Sequence, residues 1–165
     1  MASSNEAIAA LARVAGVTAE KMHARAAAIG MTHTSFTEPT GLDPANVASA
    51  HDAALLVRDA LDHPGLKDVL ALRAYSFTAA TGRTHSVRST DQLFDTFLDK
   101  PPYRFLGGKT GTLDEAGYCF GAAAENADGD RIVAVVLGAA TRESRFQETK
   151  SLLYWTFDAF TWPPR

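Results

Sequence analysis

The hydrophobic pattern of this 165-residue chain changes period near residue 75, and that change sets the order in which its layers can form. Before it, apolar residues recur at helical spacing; after it they alternate as in strands, until a last helical stretch closes the chain. Residues 5–29 are rich in alanine and leucine, follow a Ser/Asn cluster suited to capping, and are interrupted at Gly16, Val17 and Thr18, so two short helices are predicted. Met31 to Ala45 brings Thr, Ser, Pro and Gly together and reads as an ordered loop. A helix is predicted from Val47 to Leu61, stopping at His63-Pro64-Gly65, with one more short turn from Leu66 to Leu72. Tyr75 to Ala79 and Arg83 to Arg88 form a predicted hairpin about Thr81-Gly82. Gly107 to Leu113, Tyr118 to Glu125 and Arg131 to Ala139 follow as an antiparallel meander, the last two joined across a turn from Asn126 to Asp130. Glu143 to Phe160 is a final helix, with Leu152, Leu153, Trp155, Phe157 and Phe160 expected on its buried side and Pro163-Pro164 ending it. The fold class expected is α/β.

Several functional classes drop out on composition. At 46% hydrophobic and 21% charged the chain can bury one core, and its formal charge of −3 gives no electrostatic basis for binding nucleic acid or an anionic membrane. No apolar run reaches about 18 residues and no basic-then-apolar leader is present, so neither a membrane span nor a signal peptide is expected. The single cysteine, Cys119, has no partner for an intramolecular disulfide and is expected as a small buried hydrophobe. His23, His33, His51, His63 and His85 share no ligand spacing, so no metal and no cofactor is expected.

The chemistry concentrates in Lys109-Thr110-Gly111-Thr112. A cation, a hydroxyl and a residue without a side chain at consecutive strand positions make an edge that can grip a carboxylate and let a peptide backbone lie flush. At the other end of the chain stands Ser3-Ser4-Asn5, which on its own is the composition of a helix N-cap. Serine acyl-transfer sites of this type also use a Ser-x-x-Lys turn, in which the lysine eases deprotonation of the nucleophile. No serine here has a lysine three residues on, and of the five lysines only Lys21 has a hydroxyl three before it, Thr18, in a stretch that reads as helix surface.

These motifs, together with Ala28 to Leu42, Ala50 to Val57, Asp114 to Tyr118, Arg131 to Gly138, Arg145 to Glu148 and Leu152 to Phe157, resemble in family order the serine-type D-Ala-D-Ala carboxypeptidases, the low-molecular-mass penicillin-binding proteins. The resemblance runs nearly end to end and covers about the C-terminal two thirds of that catalytic domain. It implies the penicillin-recognition (β-lactamase/transpeptidase-like) fold without its N-terminal part, with residues 1–165 as a partial catalytic domain: a helical subdomain over 5–74, then an antiparallel sheet and C-terminal helix over 75–165. It assigns catalytic roles to Lys109, to Ser3 as a proton relay and to Asn5 as the amide orienting the acyl portion. Thr110 would bind the terminal carboxylate, with Arg88 either helping to bind it or standing as a solvated strand-end arginine; Gly111 would admit the substrate backbone, and the N–H of Thr112 would be an oxyanion-hole donor, worth roughly 3–4 kcal/mol. Arg142, Glu143 and Arg145 are expected to cap and pair at the start of the last helix. The partners implied are peptidoglycan D-Ala-D-Ala peptides and β-lactams, at the cell envelope. Loss of the nucleophile helix is expected to expose apolar surface and favour self-association. Two other readings stand beside this one. A non-catalytic remnant would bind cell-wall peptide or a partner; a class A β-lactamase would need a Glu-x-x-x-Asn between Asn5 and Lys109, and none occurs.

Overall fold

A computed structural model describes residues 2–162. Helices α1 (Asn5–Ala15) and α2 (Ala19–Ala28) lead into a loop carrying the two-residue strands β1 (Thr34–Ser35) and β2 (Val47–Ala48), then α3 (Ala50–Asp62) and α4 (Pro64–Leu70). A hairpin of β3 (Ala74–Thr78) and β4 (Thr84–Arg88) follows, then a meander of β5 (Arg104–Leu113), β6 (Gly117–Glu125) and β7 (Arg131–Ala139), and finally α5 (Arg142–Ala159). The sheet order β5-β6-β7 is antiparallel throughout, and the β3–β4 hairpin stands as a separate ribbon. No helix among the described residues is long and apolar enough to cross a membrane.

The order of the longer elements matches expectation, while several details are corrected, among them the short strand β1 within the stretch expected as loop. The helix expected from Val47 begins at Ala50: Ser49 accepts the Asp52 N–H as its cap, and Val47 and Ala48 pair with Ser35 and Thr34 instead. The turn expected from Leu66 starts at Pro64, whose fixed φ suits a first helical position. On α5, Leu152, Trp155 and Phe160 are exposed rather than buried; of the five apolar residues expected inside, Leu153 is buried and Phe157 packs partly against the core. The inward stripe is Arg145, Phe146, Thr149 and Leu153, and burial of Thr149 is possible because its hydroxyl donates to the Arg145 carbonyl (2.8 Å). The helix ends at Ala159, and Pro163-Pro164 lie outside the described residues. Cys119 is half-buried, not buried, since its strand position opposite Gly111 has no side chain across from it.

The sheet carries a core on each face. Phe105, Phe120, Ala122 and Ala124 pack against Phe146 and Leu153 of α5, while Leu106 and Ala123 pack against Leu61 and Leu70 of α3 and α4. Neighbouring strand residues belong to opposite cores, as the pleat requires. β5 breaks this alternation once, with a bulge between Phe105 and Gly107. The bulge places Thr110 and Thr112 on the α5 face, opposite Phe120 and Tyr118, and turns Lys109 toward α3 and α4, where it borders Leu56, Val57 and Leu70. Gly107 is locked into this geometry: its φ is +104°, and a Cβ there would stand 2.2 Å from the Leu70 carbonyl oxygen.

Two acids hold the long loop before α3. Glu38 accepts the amides of Thr40, Gly41 and Leu42 and the hydroxyl of Thr40, and fully buried Asp52 accepts the His33 amide (2.6 Å) and the Thr34 hydroxyl (2.8 Å). These two carboxylates satisfy backbone amides that the short strands β1 and β2 leave unpaired.

Candidate active site

The edge of β5 from Lys109 to Thr112 gathers groups from both ends of the chain. On one face the Lys109 ammonium donates to the Ser3 hydroxyl and to the Thr110 carbonyl. Ser3 has a φ of +54°, unusual for a residue with a side chain, and so sits in a conformation that its surroundings must hold. The neighbouring serine does the capping: Ser4 Oγ accepts the Ala7 N–H (3.2 Å), which leaves Ser3 free for Lys109. Burial of the ammonium, and then the positive charge of Arg145, hold the Lys109 pKa below the ordinary lysine value.

On the other face the Thr110 hydroxyl shares a 2.6 Å hydrogen bond with Thr90. Arg145, 3% exposed, reaches out of α5 to donate to the Gly111 carbonyl (3.1 Å) and to Thr112 Oγ1 (3.0 Å), its guanidinium 4.7 Å from the Phe146 ring centroid and 5.6 Å from that of Tyr118. Burial, and then Arg142, lower its pKa. The expectation that Arg145 caps or pairs at the helix start is corrected: Thr141 and Ser144 form the capping box, and Arg145 points into the site. The sequence signal for this is the spacing Arg145, Thr149, Leu153, a single helix face that is otherwise the core stripe.

Gly111 has open space on its strand, with Cys119 Cβ at an ordinary 3.7 Å from where a Cβ would stand. Nothing inside the fold therefore demands glycine there, in contrast to Gly107. Asn5 is half-buried at the start of α1, and among the described residues no hydrogen bond ties it to Lys109 or Thr110. Arg88 ends β4 and lines a groove with Ala2, Val69, Leu72, Tyr75 and Val87, two residues before the Thr90 that bonds Thr110. The structure thus brings together Ser3, Lys109, Thr110, Gly111 and Thr112, and adds Thr90 and Arg145, which sequence reasoning missed. Thr18, the hydroxyl three before Lys21, caps α2 by accepting the Lys21 N–H.

What the edge offers is a cation on each face, two threonine hydroxyls and a bare backbone position between them. That set suits an extended peptide ending in a carboxylate. Comparison with known proteins decides the family: the one described as D-alanyl-D-alanine carboxypeptidase matches residues 1–141. The chain belongs to this family. It is 30% identical to the D-alanyl-D-alanine carboxypeptidase DacF of Bacillus subtilis over 99% of its own length and 42% of that protein's. It is 34% identical to the D-alanyl-D-alanine carboxypeptidase DacC of Escherichia coli, over 96% of itself and 38% of the relative. The crystal structure of a D-alanyl-D-alanine carboxypeptidase from Mycobacterium tuberculosis superposes with a TM-score of 0.82 at 31% identity, covering 96% of this chain and 61% of that one. A Streptomyces DD-transpeptidase shares the fold, with a TM-score of 0.73 at 22% identity over 84% of this chain and 53% of its own. The resemblance read from the motifs is borne out, and so is the α/β penicillin-recognition fold. This member of the carboxypeptidase family spans between 34% and 55% of the length of the curated relatives it matches.

Proposed function

We propose that the chain supplies the carboxylate-binding and proton-relay half of a serine-type D-Ala-D-Ala carboxypeptidase site, acting on peptidoglycan stem peptides at the cell envelope and open to β-lactams. The observation that carries this reading is the Lys109 ammonium seated on the Ser3 hydroxyl beside exposed Gly111 and Thr112 on β5. A substrate strand laid along β5 would present its terminal carboxylate to Lys109, Thr110 and Arg145, with Gly111 letting the backbones approach. In acyl transfer a serine oxygen gives up its proton and bonds to the penultimate carbonyl carbon, the amide bond to the last D-alanine breaks, and the departing amine takes a proton in return; Ser3, backed by Lys109, would relay it. The N–H of Thr112 would serve the oxyanion, with Arg145 fixing the Thr112 side chain. Asn5 would orient the acyl portion, and residues 5–74 and 75–165 would act as the two walls of the cleft.

The nucleophile is the remaining requirement, because these 165 residues contain no Ser-x-x-Lys. The test is gel-based labelling with a fluorescent penicillin of three proteins: this chain, the chain extended by a family segment bearing Ser-x-x-Lys, and the extended chain with Lys109→Ala. Labelling is expected in the extended chain alone. Labelling of the 165-residue chain would place the nucleophile elsewhere, and an unlabelled extended chain would favour a non-catalytic peptide-binding role.

A further inference from the structure

Thr110 and Thr112 share the α5 face of β5, but their hydroxyls are committed differently. A hydroxyl has one proton to give and two lone pairs with which to accept. Thr112 uses both functions: it donates to the Gly111 carbonyl (2.7 Å) and accepts from Arg145 (3.0 Å). Its proton is taken. The Thr110 hydroxyl is bonded to Thr90 Oγ1 at 2.6 Å, where either oxygen can be the donor. Which of the two donates decides what Thr110 can do for a ligand. If Thr110 gave its proton to Thr90, it would meet a carboxylate with lone pairs alone, and the two would repel. If Thr90 gives its proton to Thr110, the Thr110 proton is left for the carboxylate, and a hydroxyl that accepts a bond donates a stronger one.

The position of Thr90 is built into the chain on both sides. The Ser89 N–H donates to the Arg73 carbonyl (2.8 Å), the Asp91 N–H donates to Ser89 Oγ (3.2 Å), and Asp91 Oδ1 accepts the Leu93 N–H (2.8 Å). Asp91 and Leu93 are buried, at 8% and 2% exposure, while Thr90 is exposed and the Thr110 it bonds is buried. The turn is thus anchored in the core and presents one surface hydroxyl to one strand residue.

We propose that Thr90 is a positioning residue for carboxylate recognition: its hydroxyl donates to Thr110 Oγ1, fixes that side chain, and directs the Thr110 proton toward the C-terminal carboxylate of a D-Ala-D-Ala peptide laid on β5. The assignment rests on the function proposed above and adds to it a residue that acts on the ligand through another. Valine at this position keeps the branched shape without the hydroxyl, and serine keeps the hydroxyl, so the two substitutions separate hydrogen bonding from packing.

The test is an amide chemical-shift titration of the isotope-labelled 165-residue chain with an acetylated tripeptide ending in D-Ala-D-Ala, supplied as the free acid and as the C-terminal carboxamide. The wild type is expected to prefer the free acid. Thr90→Val should weaken binding of the free acid roughly 3- to 10-fold, the range of one hydrogen bond, with an unchanged melting temperature, and Thr90→Ser should restore it. In a Thr110→Val background the further change Thr90→Val should have no effect, because the proton it directs is gone. Wild-type affinity in Thr90→Val, failure of Thr90→Ser to restore binding, or an equal loss with and without the Thr110 hydroxyl would overturn the role of Thr90, while a wild-type preference for the acid leaves the carboxylate edge standing. If the wild type binds the two peptides alike, or binds neither, the functional reading fails and the role of Thr90 with it.

Discussion

Ser3 and Lys109, at opposite ends of the chain, are joined through hydroxyl and ammonium, while the adjacent Ser4 caps α1. Two residues that look alike in sequence thus have separable roles. Ser4→Ala should destabilise the fold by about 1 kcal/mol, read by chemical denaturation. Ser3→Ala should leave stability within error, and in the extended chain should slow peptide turnover.

Gly107 and Gly111 should separate in the same manner. Gly107→Ala drives a Cβ into the Leu70 backbone and is expected to unfold the chain or lower its melting temperature severely. Gly111→Ala has room within the fold and should keep the wild-type melting temperature, yet block docking of a D-Ala-D-Ala peptide. Loss of stability in Gly111→Ala would contradict its assignment to substrate approach.

Arg145 should matter for ligand more than its place on a helix suggests. Replacing it with glutamine removes the donor to Gly111 and Thr112 and one of two cations at the edge. Peptide affinity is expected to fall by a factor of ten or more, equivalent to about 1.4 kcal/mol, measured by the same shift titration. Arg145→Lys should recover only part of it, since an ammonium cannot reproduce the fork.

Acid stability should reflect two carboxylates of opposite behaviour. Burial pushes the Glu38 pKa up, but the hydroxyl and amide of Thr40 and the amides of Asp43 and Gly41 outweigh it and hold it down to about 2, from an ordinary 4.5. Its stabilising contribution is complete above pH 4.5 and disappears as pH falls toward 2. Burial pushes Asp91 up from 3.8 to about 6 against the Leu93 N–H, and among the described residues its Oδ2 has no hydrogen-bond partner. The folded state therefore holds that proton more tightly than the unfolded chain, so stability declines as pH rises from about 4 to 6, by a few kcal/mol at most. Denaturation midpoints across pH 2–8 should show both slopes. Asp91→Asn should remove the upper one and stabilise the protein at pH 7; an unchanged upper slope would mean that Asp91 does not carry it.

The surface predicts association. The accessible area of 10011 Å² exceeds the roughly 7,900 Å² typical of a compact monomer of this mass, and Leu11, Val14, Trp155 and Phe160 are among the exposed apolar side chains. Light scattering should detect dimers or larger species at micromolar concentration; a strictly monomeric sample with a sharp calorimetric transition would contradict this.

Much of this protein was readable before folding. Ala-rich helical periodicity, the Asn126 to Asp130 turn and the alternation in β6 and β7 are local signals, and they set the element order because local backbone preference and side-chain period act over a few residues. Lys109-Thr110-Gly111-Thr112 pointed to the proposed functional edge for the same reason: its chemistry is written in consecutive residues. What tertiary structure decided is which face each group serves. The bulge after Phe105 reverses the parity of β5, so that Lys109 faces α3 and α4 while Thr110 and Thr112 face Arg145, an inversion that alternation along the strand does not foretell. Arg145 was hidden because a buried arginine is a poor guess on a helix until a strand supplies its carbonyl and hydroxyl acceptors. Long-range contacts settle such questions, and they exist only once the cores on both faces of the sheet have packed.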